Sequence, residues 1–227
     1  MPPLFLNTIV SLFFVSSLFV SYTSIPRINK IGERFNIIDK PNFRKIHNKP
    51  IVRLGGISIF SSFIFSLFLF LFIFQFSETF QSLFNLSDIK FLLPIVLCSV
   101  VFFLIGLVDD ILNLSPQVRL FFQIVSSTLL WHYGLQIRFI DFNWLEFINH
   151  NLYLENFFSL LLTVIWVVGV TNAINWFDGL DGLAAGISII ILLGFTLVFF
   201  TKSLYFFSLL TIILMGGCLG FLRDRKS

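Results

Sequence analysis

The sequence predicts an all-α polytopic integral membrane protein with about seven transmembrane helices and its N-terminus outside. Three observations carry this reading. Of the 227 residues, 57% are hydrophobic and only 12% are charged, about half the charged share of an ordinary soluble domain. Mean hydropathy is +0.94, and the apolar residues fall in runs that match the roughly 20 residues needed for a helical span. The basic residues, finally, are divided very unevenly between alternate connections. An unpaired backbone group in lipid costs several kcal/mol, so an open chain crosses as helices. Residues 1–227 therefore read as a single membrane domain with no room for a soluble domain of any size, and a nucleic-acid partner is not expected.

The first run, 3–22, follows Met1-Pro2-Pro3 and has neither a basic leader nor a small-residue cleavage site; a retained helix is expected rather than a signal peptide. The second and third runs, 54–76 and 91–108, are followed by a fourth at 119–134. The connection 135–156 interleaves Ile137, Phe139, Phe142, Trp144 and Phe147 with Arg138, Asp141 and Glu146, a pattern suited to lying along the interface. The remaining spans are 157–176, 183–201 and 204–222. With the N-terminus outside, twelve of the fifteen Lys and Arg fall on the cytoplasmic side and only Lys90, Arg138 and Lys202 on the other, which sets the orientation by the positive-inside rule. Tyr22, Trp131, Tyr133, Tyr153, Trp176 and Tyr205 fall at span ends as an aromatic belt. Cys98 and Cys218 have no partner spacing and read as small apolar side chains. His132 and His150 read as plain interfacial residues, and the 33 phenylalanines as lipid-facing and packing bulk.

Within this orientation four acids, Asp109, Asp110, Asp178 and Asp181, fall at cytoplasmic helix ends. Carboxylates near lipid are costly and need a partner, and four on one leaflet suggest a cation. Hard oxygen ligands suit magnesium or manganese held together with substrate phosphates. Adjacent helical residues point about 100° apart, so Asp109 and Asp110 are expected to divide roles, one of them acting as a base. Two solvated acids capping a helix end would look the same from the doublet alone.

The stretch from Thr171 to Gly186 is more specific. Asn172, Asn175, Asp178 and Asp181 recur every third residue, a spacing that an unbroken helix would wind around to its opposite face. Gly179 and Gly182 are expected to interrupt the winding and to let backbone approach a ligand. Amides and carboxylates on a broken helix end could then read a nucleobase or sugar and reach a metal-bound diphosphate. A polar loop between two spans is the alternative, although two asparagines in an apolar run need partners of their own.

The first cytoplasmic connection, 23–53, holds eight basic and two acidic residues. Such a field draws polyanions to the inner surface. Topology accounts for some of that charge, but Arg44, Lys45, His47 and Arg53, set between prolines and ahead of Gly55-Gly56, suit phosphate contacts.

Three blocks together resemble the polyprenyl-phosphate N-acetylhexosamine-1-phosphate transferases, the WecA, TagO and MraY-like glycosyltransferase family 4 of bacterial envelope synthesis. Asp39 to Gly56 is similar to D-x-P-x-x-R-K-x-H-x-x-P-x-x-R-x-G-G. Gly106-Leu107-Val108-Asp109-Asp110, with Leu114-Ser115-Pro116, Arg119-Leu120 and Gln123, resembles the aspartate-pair loop. Asn172 to Gly186 is similar to N-A-x-N-x-x-D-G-L-D-G-L-A-x-G.

The resemblance implies transfer of a sugar-1-phosphate, with N-acetylglucosamine-1-phosphate favoured by the first block, from a UDP-sugar to undecaprenyl phosphate with release of UMP. Mg²⁺ or Mn²⁺ is the implied cofactor. By analogy Asp109 binds or deprotonates the lipid phosphate with Asp110 beside it, and Asp178 completes the catalytic set. Asn175 and Asp178 lie near the metal, Asp181 and Gly179 near the uridine, and Arg119 stands where the family has a basic residue. Arg44, Lys45, His47, Arg53 and Asn172 are further substrate contacts. The implied setting is the bacterial cytoplasmic membrane, in cell-wall, lipopolysaccharide or teichoic acid synthesis. The expected partners are UDP-N-acetylhexosamine, undecaprenyl phosphate and membrane lipid, with a homodimer as one assembly the chain could form.

The chain departs from the family where it ends. Family members continue with a G-D-x-G-S block whose aspartate is a metal ligand, further spans and a basic loop, whereas here Gly220-Phe221-Leu222 is followed by Arg223-Asp224-Arg225-Lys226-Ser227. A C-terminally truncated member is the resulting expectation, with a non-catalytic remnant or lipid-phosphate-binding partner as the alternative function. A transporter is the weaker third reading, because its acids would sit at the bilayer midplane.

Overall fold

The computed structural model describes residues 3–39, 51–84, 86–140, 152–153, 155–177 and 182–224. Among them are the helices α1 (Pro3–Arg34), α2 (Gly56–Phe76), the short α3 (Glu78–Gln81) and α4 (Leu86–Ile89), α5 (Leu92–Leu112), α6 (Pro116–His132), α7 (Asn156–Phe177), α8 (Leu183–Thr201) and α9 (Tyr205–Asp224). Two minimal antiparallel pairs join β1 (Ile38–Asp39) to β2 (Ile51–Val52) and β3 (Phe139–Ile140) to β4 (Leu152–Tyr153). The protein is an all-α multi-pass membrane protein: α1, α2, α5, α7, α8 and α9 lie in six helices long and apolar enough to cross a bilayer. The other expected span is α6, whose 17 residues extend about 26 Å, close to the lower limit for crossing.

In α6 and α7 burial runs opposite to that of a soluble protein. The buried residues of α6 are Gln123, Ser126 and Ser127, and those of α7 are Ser159 and Thr163, while Phe121, Phe122, Ile165 and Trp166 face outward. Lipid is as apolar as leucine, so spans associate through close packing and hydrogen bonds rather than by hiding apolar surface. Small and hydroxylated residues therefore mark the inward faces of these two helices.

The chain forms two compact units, one of Met1–Ile89 with Asn175–Ser227 and the other of Lys90–Ile174. In the first unit α9 packs against α1, α2 and α8. A Cβ on Gly216 would lie 2.6 Å from the carbonyl oxygen of Phe14, and one on Gly220 2.5 Å from that of Leu18. This spacing of small residues four apart lets two backbones touch. Ser17 Oγ donates to the Ile213 carbonyl at 2.6 Å and Ser21 Oγ to that of Gly217 at 2.8 Å. At the other end of this unit Phe13, Phe70, Phe80 and Phe206 are almost fully buried, with ring centroids 5.5 Å apart for Phe70 and Phe80 and 5.9 Å for Phe70 and Phe206. These phenylalanines are thus the packing part of the expected bulk rather than its lipid-facing part.

In the second unit α5 and α6 form a hairpin, and α7 is tied to α6 through side chains. Trp131 Nε1 donates to Ser159 Oγ at 3.0 Å, and the backbone N–H of Ile137 donates to Thr163 Oγ1 at 3.0 Å. Most of the connection expected to lie along the interface falls outside the described residues.

Candidate active site

The aspartate pair belongs to the last turn of α5, which runs past the expected end at Val108 to Leu112. Asn113 ends it in the left-handed region at φ 51°, with its N–H donating to the Asp109 carbonyl; asparagine is one of the few residues that adopt this conformation readily. Ser115 then caps α6 by accepting from the Val118 N–H, and Pro116 occupies the first helical turn, where its missing donor is not needed. The reversal is complete within three residues. It brings Arg119 Nη1 to 3.0 Å from Asp109 Oδ2, with Asp109 25% and Arg119 30% exposed. Asp110 is partly buried beside it.

One turn further along α6, on the same face as Arg119, Gln123 is only 5% exposed. Its side-chain oxygen accepts from Asn172 Nδ2 at 2.8 Å, and Asn172 Nδ2 also donates to the Val168 carbonyl at 2.8 Å. The second unit thus joins the aspartate block to the start of the asparagine block by an amide pair whose Gln123 half is buried. Gln123 stood in the motif without an assigned role. Its signal was an amide placed one turn after Arg119 in an otherwise apolar run.

Past Asn172, α7 continues unbroken to Phe177. Asn175 is exposed at its end, and Trp176 is 86% exposed. Asp178, Gly179 and Asp181 lie outside the described residues, but the chain resumes at Gly182 with φ 74° and α8 starts at Leu183. Of the two glycines expected to interrupt the winding, Gly182 thus stands in a left-handed conformation just before α8, and Gly179 lies outside the described residues.

In the first unit, the two remaining pieces of the motif converge on one helix end. A Cβ on Gly182 would meet Leu222 Cδ2 at 2.7 Å, and one on Gly55 would meet Phe221 Cε2 at 2.5 Å. The close of the asparagine block and the Gly-Gly of the basic block thus both seat on the C-terminal turn of α9. Arg53, partly exposed, leads from β2 into α2, and its N–H donates to the Ile37 carbonyl at 3.3 Å. Arg44, Lys45 and His47 lie outside the described residues.

Asp109 and Asp110 in the second unit, and the exposed amide of Asn175 in the first, are each oxygen donors of the kind a hard divalent cation takes. No group of three His, Cys, Asp or Glu that could hold an ion occurs among the described residues. Asp178 and Asp181 are not among these.

Residues 92–223 match glycosyl transferase family 4. The chain is 30% identical over 209 residues to a probable undecaprenyl-phosphate N-acetylglucosaminyl 1-phosphate transferase of Bacillus subtilis, covering 92% of this chain and 53% of that protein. It is 34% identical over 134 residues to a phospho-N-acetylmuramoyl-pentapeptide-transferase of Clostridium acetobutylicum, covering 56% and 42%. To a decaprenyl-phosphate N-acetylglucosaminephosphotransferase of Mycobacterium tuberculosis it is 27% identical over 216 residues, covering 89% and 50%. The chain spans about half the length of these curated relatives.

Proposed function

Because the chain belongs to glycosyl transferase family 4, we propose that it acts in transferring N-acetylglucosamine-1-phosphate from a UDP-sugar to undecaprenyl phosphate at the inner face of the bacterial cytoplasmic membrane. An oxygen of the lipid phosphate attacks the β-phosphorus of the donor, the bond to the α-phosphate breaks, and UMP leaves. One phosphoanhydride replaces another, so the reaction is close to balanced. The demand on the protein is positioning and charge neutralisation.

Asp109 binds or deprotonates the lipid phosphate, with Asp110 beside it, and the guanidinium of Arg119 supplies positive charge to the same group. Asn175 and Asp178 would hold a magnesium or manganese ion, which would supply positive charge to neutralise the diphosphate. Asp181 and Gly179 take the uridine, and the basic block with Arg44, Lys45, His47 and Arg53 takes phosphate. Asn172 serves substrate through position, since its amide N–H groups are engaged with Gln123 and Val168.

The observation that carries this reading is the pairing of Asp109 with Arg119 at the end of an apolar span, in a chain whose relative from Bacillus subtilis bears a name of the same chemistry. Membranes containing the chain, supplied with radiolabelled UDP-N-acetylglucosamine, undecaprenyl phosphate and Mg²⁺, test it. Label entering the lipid fraction with matching UMP is the expected result, and no transfer above membranes lacking the chain refutes it.

A further inference from the structure

The first helix outlasts its apolar run. Hydropathy ends near Tyr22, yet α1 continues through Pro26 to Arg34. Its 32 residues extend about 48 Å, somewhat more than the roughly 40–45 Å of a bilayer with both its polar layers. The turns after the apolar run therefore pass through the headgroup layer to its outer surface, and their two faces differ sharply.

Ile25, Ile28 and Gly32, at spacings of three and four, are buried. The missing side chain of Gly32 is the seat of Val52 from β2. The opposite face is exposed and carries Arg27, Lys30 and Arg34, with Glu33 as its one acid. Ile31 and Phe35 lie on the same exposed side, 49% and 67% exposed. Apolar side chains interspersed with cations at one helical period form the surface that binds an anionic lipid interface, the cations to phosphate and the apolar groups below it.

We infer that the exposed face of residues 27–35 docks on the anionic phospholipid surface of the leaflet from which α1 emerges. Charge complementarity argues for this occupant, as does continuity: the surface lies at the end of the span itself, so binding requires no search. This contact is separate from substrate phosphate recognition, which the proposed function assigns to other residues. Each basic residue near an anionic surface contributes about 1 kcal/mol, so neutralising all three shifts the docked-to-free ratio on the order of a hundredfold.

The test is hydrogen exchange of the backbone amides in residues 27–35, read by mass spectrometry, with the full chain in phosphatidylcholine vesicles with or without phosphatidylglycerol. Exchange slows at least about tenfold when phosphatidylglycerol is present, a part of the hundredfold ratio above. The Arg27→Gln/Lys30→Gln/Arg34→Gln variant exchanges alike in both vesicles, while Arg27→Lys/Arg34→Lys keeps the difference. Protection of the α9 amides reports that each variant is folded; if the triple variant is not, the single Arg34→Gln variant, expected to lose part of the slowing, replaces it. Equal exchange of the unaltered chain in both vesicles overturns the inference, as does a folded charge-neutral variant that retains the full difference.

Discussion

Asp109 and Arg119 come together because a left-handed asparagine and a capped proline start reverse the chain in three residues. At this exposure an ion pair adds only about 0–1 kcal/mol, so its value lies in holding two charges in place. Asp109→Asn is therefore expected to leave the protein folded in membranes while lowering sugar-phosphate transfer by about 10²–10³-fold, as loss of a preorganised electrostatic group does, measured as UMP release. Wild-type rates in that variant would refute the role given to Asp109. The amide pair below it is a different matter, because Gln123 is buried. Asn172→Ala removes its partner and leaves an amide oxygen unpaired, at a cost of about 1–3 kcal/mol. That cost is read as a lowered thermal midpoint in detergent, and replacing both residues with leucine is expected to recover part of it. The doublet and its motif were legible in the sequence, but the Asp109 to Arg119 pairing was not, because it depends on a reversal that hydropathy does not report.

At the scale of the element, the apolar runs located the long helices well, and the run 183–201 coincides with α8. Differences arise where helix and hydropathy part company. α1 continues beyond its apolar run because Ile25 and Ile28 find a buried face beyond the last apolar stretch, and α5 continues into its aspartates because the helix stops at Asn113 rather than at the first charge. The contact between α1 and α9 was illegible, since nothing local in Gly216-Gly217-Cys218-Leu219-Gly220 names its partner about two hundred residues earlier. Gly220→Ala tests it. The added methyl meets the Leu18 carbonyl and the Ser21 Cβ, so unfolding in detergent is expected to become easier by about 1–3 kcal/mol. Gly169→Ala, where the same atom meets nothing within 4 Å, is expected to cost nothing and to gain slightly in helix propensity. Equal behaviour of the two variants would contradict the packing described.

At the scale of the whole molecule, the apolar outward surface, the inward hydroxyls of α6 and α7 and the positive-inside asymmetry describe a chain adapted to lipid. The proposed orientation puts Lys202, in the turn after α8, on the outer face. Lys202→Cys is expected to react with a membrane-impermeant maleimide in intact cells, whereas Arg53→Cys reacts only after permeabilisation; the reverse pattern would invert the topology. Much of the proposed chemistry rests on short stretches between helices, where motif letters speak more clearly than periodicity does. The central claim is that phosphate travels with the sugar. Donor labelled at its β-phosphorus, given to membranes containing the chain with undecaprenyl phosphate and Mg²⁺, is predicted to leave its label in the lipid and to release unlabelled UMP. Label retained in the nucleotide as UDP, with sugar alone in the lipid, would contradict it.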